Sequence, residues 1–157
     1  MSILLLGIIL LVPLAHGNGE YDKDSLIEAG ALGEAAAWGA GLSTIQYMIV
    51  RRALPRFYLL EPRYRARLAR LSLDIHSYGN LASLGLGLSH GYINRSAASL
   101  LEYLMVGLAI ILAVSGLTMR YLRDRRARLV ARMIHGQRIL ALLLLTLVII
   151  HVSKMED

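Results

Sequence analysis

The sequence predicts an all-α integral membrane protein, a four-helix bundle preceded by an N-terminal signal peptide. Three observations predict it. The chain of 157 residues is 56% hydrophobic, with a mean hydropathy of +0.54, more apolar than a soluble domain of its size. Its charged residues, 18% of the total, are segregated from four apolar segments. Each segment has about 21 to 23 residues, the length a helix needs to cross a hydrocarbon core of about 30 Å. In lipid a segment must satisfy its own backbone amides, so each is read as a helix.

The elements follow in chain order. Residues 1–17 read as an export signal: a short apolar run, then Ala15 and Gly17 at the −3 and −1 positions of a cleavage site. The basic n-region is absent apart from the amino terminus, so an uncleaved anchor is the alternative to cleavage, which is the expectation taken here. His16 would be lost with the signal. An exposed acidic segment, 18–28, comes next. The bundle occupies 29–152, with spans at 29–50, 73–93, 100–121 and 130–152, and a short tail at 153–157.

Charge orients these spans. Arg51, Arg52, Arg56, Arg63, Arg65, Arg67 and Arg70 lie between the first and second. Arg120, Arg123, Arg125, Arg126, Arg128 and Arg132 lie between the third and fourth. With Arg138 they make 14 of the 17 basic residues. Both arginine-rich connections are therefore expected in the cytoplasm, and the mature termini outside the cell membrane. Topology and contact with anionic lipid account for these arginines, and nucleic acid is not expected as a partner. The acidic outer side is read as solvated charge, with a docking face for a basic partner as the alternative.

Cysteine is absent. That removes disulfides, cysteine-held iron–sulfur clusters and covalent c-type haem attachment. Any haem must be held by side-chain ligation and packing alone. His76 and His90 lie in the second span, 14 residues apart, which is about 21 Å along a helix and about 40° around it. Ionisable groups at membrane depth usually mark function, and imidazole is a haem ligand. Ser72, Gly79, Asn80, Ser83, Gly87 and Asn94 share the stripe of these histidines. Gly79, Ser83 and Gly87 would leave room for a flat macrocycle. The competing explanation is a small-residue seam between helices.

The fourth span carries His135 and His151. Pairing by depth gives an inner site, His76 with His135, and an outer site, His90 with His151. The 16-residue separation turns His151 about 160° from His135 on an ideal helix. A π-bulge, an unwound last turn, a different neighbour for His151 or a merely interfacial role would each account for that. Gly136 leaves space beside His135. Arg138 would hold haem propionates or snorkel to the interface. Asp74 would orient an imidazole or pair with an arginine.

H-x13-H in one span with a second histidine pair two spans later resembles the b-type di-haem membrane cytochromes. The closest likeness is to the four-helix haem core of cytochrome b, and the ferric-reductase-like transmembrane domains are built on a similar logic. The resemblance covers roughly 29–152 and implies two haem b groups: His76 and His135 on the inner iron, His90 and His151 on the outer. It departs from the family in the H-x15-H spacing of the last span, in the irregular glycines Gly33, Gly39, Gly41, Gly107 and Gly116, and in the lack of a quinol-site motif. It implies electron relay across the membrane between a quinol and an extracytoplasmic cytochrome or other redox protein. Glu34, Glu102 and Asp74 would take quinol protons or stand as interfacial carboxylates. The alternatives are a haem-poor anchor subunit of a redox complex and a metal transporter. The second is disfavoured because the spans lack intramembrane carboxylates near the histidines and lack broken helices.

Overall fold

The computed structural model describes residues 23–56, 61–95 and 98–154. The predicted signal peptide, residues 18–22 of the acidic segment and residues 155–157 of the tail lie outside the described residues. Every regular element among the described residues is helical: α1 (Lys23–Ala53), a 3₁₀ turn (Leu54–Arg56), α2 (Pro62–Ile93), α3 (Leu100–Tyr121), α4 (Arg125–His135) and α5 (Arg138–Ser153).

Local sequence explains the boundaries. Pro55 cannot continue α1, whose chain tightens into the 3₁₀ turn. Pro62 starts α2, where its missing N–H costs nothing. Ser99 caps α3 through a capping box: its Oγ accepts the Leu101 N–H at 3.2 Å, and its own N–H donates to Glu102 Oε2 at 2.6 Å. Asp124 caps α4 by accepting the Ala127 N–H at 2.6 Å.

Helices α1 and α2 are longer than the apolar segments suggest, and α4 takes in the second arginine run. Arg63, Arg65, Arg67 and Arg70 ride on the first turns of α2, and Arg125, Arg126, Arg128 and Arg132 on α4, rather than in loops. The predicted fourth span is two helices, α4 and α5, bent by 49°. Gly136 and Gln137 make the break. Gly136 keeps helical angles (φ −75°, ψ −8°), and Gln137 turns extended (φ −74°, ψ 107°). A Cβ at Gly136 would stand 2.8 Å from the Arg132 carbonyl oxygen, so only glycine closes this turn without displacement.

The residues up to Leu86 form one compact unit and those from Gly87 a second. In the first, α1 and α2 meet antiparallel through small residues. A Cβ on Gly39 would come within 2.5 Å of Ser83 Oγ, and one on Gly79 within 2.7 Å of Ser43 Cβ. Beyond this close seam, Gln46 Nε2 donates to the Ser72 carbonyl at 3.0 Å, and Ser72 Oγ donates back to Gln46 Oε1 at 3.1 Å. In the second unit α3 packs against α4 and α5.

Buried and exposed residues are distributed opposite to a water-soluble fold. Among the described residues the one buried apolar side chain is Ala131, while Ser43, Ser72, Ser83 and Ser115 are buried. Trp38 (68% exposed), Ile49, Leu100, Ile111, Leu142 and Ile149 face outward. Small polar residues inside and large apolar residues outside suit a lipid solvent, in which apolar burial drives nothing. By length and composition α3 is able to cross a membrane, with 22 residues at hydropathy 2.2, and the bent α4–α5 pair passes the same test. In α1 and α2 the seam's Gln, Ser, Thr and Asn dilute the apolar character.

Candidate functional site

The four histidines among the described residues occupy two kinds of environment, distinguished by what meets Nδ1. On α2, His76 Nδ1 stands 3.0 Å from Asn80 Nδ2, an amide that also donates to the His76 carbonyl at 2.7 Å. Thr44 holds that asparagine from α1 at 3.3 Å. The Tyr47 ring stacks on the imidazole, centroids 4.7 Å apart and planes inclined by 18°. One helical repeat further on the same design recurs. Asn94 Nδ2 reaches His90 Nδ1 at 3.4 Å and the His90 carbonyl at 3.0 Å. With the amides in this orientation Nδ1 accepts, and the ring proton then sits on Nε2.

His135 and His151 have the opposite tautomer. His135 Nδ1 lies 2.9 Å from the Leu112 carbonyl oxygen and 3.2 Å from Ser115 Oγ, whose own hydroxyl donates to the same carbonyl at 2.9 Å. A carbonyl only accepts, so Nδ1 carries the proton and the lone pair sits on Nε2. The ring lies flat enough on α3 that a Cβ at Gly116 would be 3.1 Å from its Cε1. His151 Nδ1 lies 2.9 Å from Glu102 Oε1, with both side chains largely shielded. A carboxylate or carbonyl on the far nitrogen is the arrangement that orients metal-bound histidine and strengthens its other nitrogen as a ligand.

His90 and His151 come together in the second unit, ring centroids 5.9 Å apart and planes at 86°. Two imidazoles bound through nitrogen to one metal, each bond about 2 Å long, place their ring centres about 6 Å apart. The outer pair predicted from sequence is thus juxtaposed. His76 belongs to the first unit and His135 to the second.

The donor chemistry of haem ligation fits His135 and His151 as they stand. It fits His76 and His90 once Asn80 and Asn94 turn a carbonyl oxygen to Nδ1. The room assigned to a macrocycle beside His76 fits less well, because α1 fills it: Ser43 faces Gly79 and Gly39 faces Ser83. Gly87 is half-buried on α2, and Arg138 opens α5 with its side chain exposed. Among the described residues no three His, Asp or Glu side chains gather as a metal site.

No family model, curated protein or solved structure matches the chain.

Two features lay beyond the sequence reading. One is the contact of Glu102 with His151, 49 residues apart in sequence, which corrects the expectation that the spans hold no carboxylate near the histidines. The other is the repeat His76-Ser77-Tyr78-Gly79-Asn80 and His90-Gly91-Tyr92-Ile93-Asn94. H-x-Y-x-N recurring after 14 residues is a signal that reading the chain for histidines alone passes over.

Proposed function

We propose that the protein is a membrane-embedded b-type cytochrome that relays electrons between a quinol and an extracytoplasmic redox protein through two bis-histidine haems. The observation that carries this reading is the outer pair, two perpendicular imidazoles 5.9 Å apart, one of them held by a carboxylate. In this reading α1, α2, α3 and the bent α4–α5 pair are the four spans. Their arginine-bearing ends lie in the cytoplasm, by the rule that basic residues stay inside.

Haem, when bound, supplies a one-electron carrier whose potential the protein sets. This chain's residues do the holding. His90 and His151 would hold the outer haem between them. Glu102 fixes the plane of His151 and keeps its proton on Nδ1. Leu112 and Ser115 do the same for His135, which the sequence pairs with His76 at the inner level. Arg138, exposed at the start of α5, would meet a propionate.

A reduced-minus-oxidised visible spectrum of the purified protein, with iron quantified per chain, tests the proposal. Two b-type haems per chain are expected. A protein without b-type absorbance or stoichiometric iron refutes it. The Nδ1-accepting state of His76 and His90 favours a second reading, a membrane anchor subunit with one haem or none. Full haem retention after His90→Ala would support that reading over the first.

A further inference from the structure

We infer that Asn80 is a latch on the inner site: it holds His76 in the tautomer that cannot ligate iron through Nε2, and Thr44 of α1 clamps it there. This rests on the haem reading above and concerns how His76 becomes available as a ligand.

The two ends of a side-chain amide have the same shape, and the chemistry around them decides which way they face. One end of Asn80 stands 2.7 Å from the His76 carbonyl oxygen. A carbonyl only accepts, so this end is the nitrogen. The same nitrogen is 3.0 Å from His76 Nδ1, which therefore accepts too. A neutral imidazole in that state carries its proton on Nε2. Its lone pair is at Nδ1, where Asn80 covers it. The backbone of α2 thus dictates the tautomer.

Ligation through Nε2 needs the proton there to leave and one to be taken up at Nδ1, with no change of net charge. Asn80 would then have to offer oxygen to Nδ1. Turning the amide in place sets Oδ1 against the His76 carbonyl, acceptor against acceptor, so the side chain must swing away. Thr44 opposes that movement. Its Oγ1, half-buried on α1, straddles the amide at 3.3 Å from Nδ2 and 3.4 Å from Oδ1. Tyr47, the next turn of α1, stacks on the imidazole with centroids 4.7 Å apart. One face of α1 therefore holds both the ring and its latch.

His90 provides the contrast. Asn94 Nδ2 is 3.4 Å from its Nδ1 and 3.0 Å from its carbonyl oxygen, both longer than at His76. Among the described residues no side chain of another helix bonds to Asn94. The outer site has the same bias without the clamp, so it fills first. The inner site waits on the contact between α1 and α2.

The full chain in detergent, with ¹⁵N-labelled histidine, is compared as wild type, Asn80→Ala and Thr44→Val. Without haem, His76 should hold its proton on Nε2 in the wild type and become a mixture of tautomers in Asn80→Ala. Thr44→Val should fall between them, and it carries the same test if Asn80→Ala does not fold. Haem is then titrated in. A site competent in only a fraction of molecules loses affinity by that fraction. The second, weaker equivalent of haem, which His76→Ala should abolish, should therefore bind about tenfold more tightly in Asn80→Ala. An asparagine of purely structural value predicts an unmoved tautomer and equal or weaker binding.

A wild-type His76 with its proton on Nδ1 overturns the latch. So does an Nε2 tautomer that survives both substitutions, or a second equivalent that neither tightens. In each case b-type absorbance of the wild type leaves the cytochrome reading standing. Absence of that absorbance from every variant overturns the cytochrome reading, and the latch with it.

Discussion

Glu102 Oε1 accepts the Nδ1 proton of His151 at 2.9 Å, while the other oxygen of the same carboxylate receives the Ser99 N–H at 2.6 Å. One side chain thus closes the N-terminus of α3 and fixes an imidazole on α5. The two duties are separable by mutation.

Replacing Ser99 by Ala removes the hydroxyl half of the capping box and should cost about 1 kcal/mol of stability, leaving the His151 bond in place. Glu102→Ala removes both. If His151 ligates haem, losing its orienting carboxylate should weaken outer-site affinity by about 10- to 100-fold. Glu102→Gln keeps an oxygen for Nδ1 but not the charge, and should raise the outer potential with less loss of haem. Potentiometric titration of all three variants, with haem per chain, checks this set.

The opposed tautomers give a prediction that needs no cofactor. In haem-free protein, the nitrogen shifts of His76 and His90 should report a proton on Nε2, and those of His135 and His151 a proton on Nδ1. Selectively labelled imidazoles read by NMR distinguish the two. On haem loading the α2 pair should change to the second pattern, the form needed for ligation through Nε2.

Gly116 is the floor beneath the His135 ring. Gly116→Val places a branched side chain where a single Cβ already meets Cε1 at 3.1 Å. The ring must then leave Leu112. If the chain holds two haems as proposed, the spectral signature of one should weaken while that of the His90–His151 site is retained, followed by redox-resolved absorbance.

The α1–α2 seam should be intolerant of added volume. Gly79→Ala sets a methyl 2.7 Å from Ser43 Cβ, and overpacking of this kind costs about 1–3 kcal/mol. Ser43→Gly in the same chain should recover much of the loss. Thermal unfolding in detergent of the single and double variants measures the coupling.

The helices were largely legible in sequence, and the third segment, 100–121, coincides with α3, because apolar length is a local property. The break at Gly136–Gln137 was not. The stretch has no proline, and a lone glycine in a helical pattern reads as tolerated. That break also alters the 160° problem between His135 and His151: they belong to different helices, so ideal-helix arithmetic does not connect them. The seam was visible in the small residues of the α2 stripe, but whether a second helix or a macrocycle fills such a groove depends on the facing residues. Gly39 and Ser43 decide it at Gly79 and Ser83. Contacts such as Glu102 with His151 join residues far apart in the chain and have no local signature.

Serines inside and leucines outside also determine how the molecule behaves when its amphiphile is stripped away. In bare water the exterior becomes the cohesive part, and neighbouring molecules should coalesce through it while their internal hydrogen bonds keep each helix wound. The resulting precipitate should keep its far-ultraviolet helical signal and clear again on adding detergent, unlike the strand-rich deposits of an unfolded soluble chain.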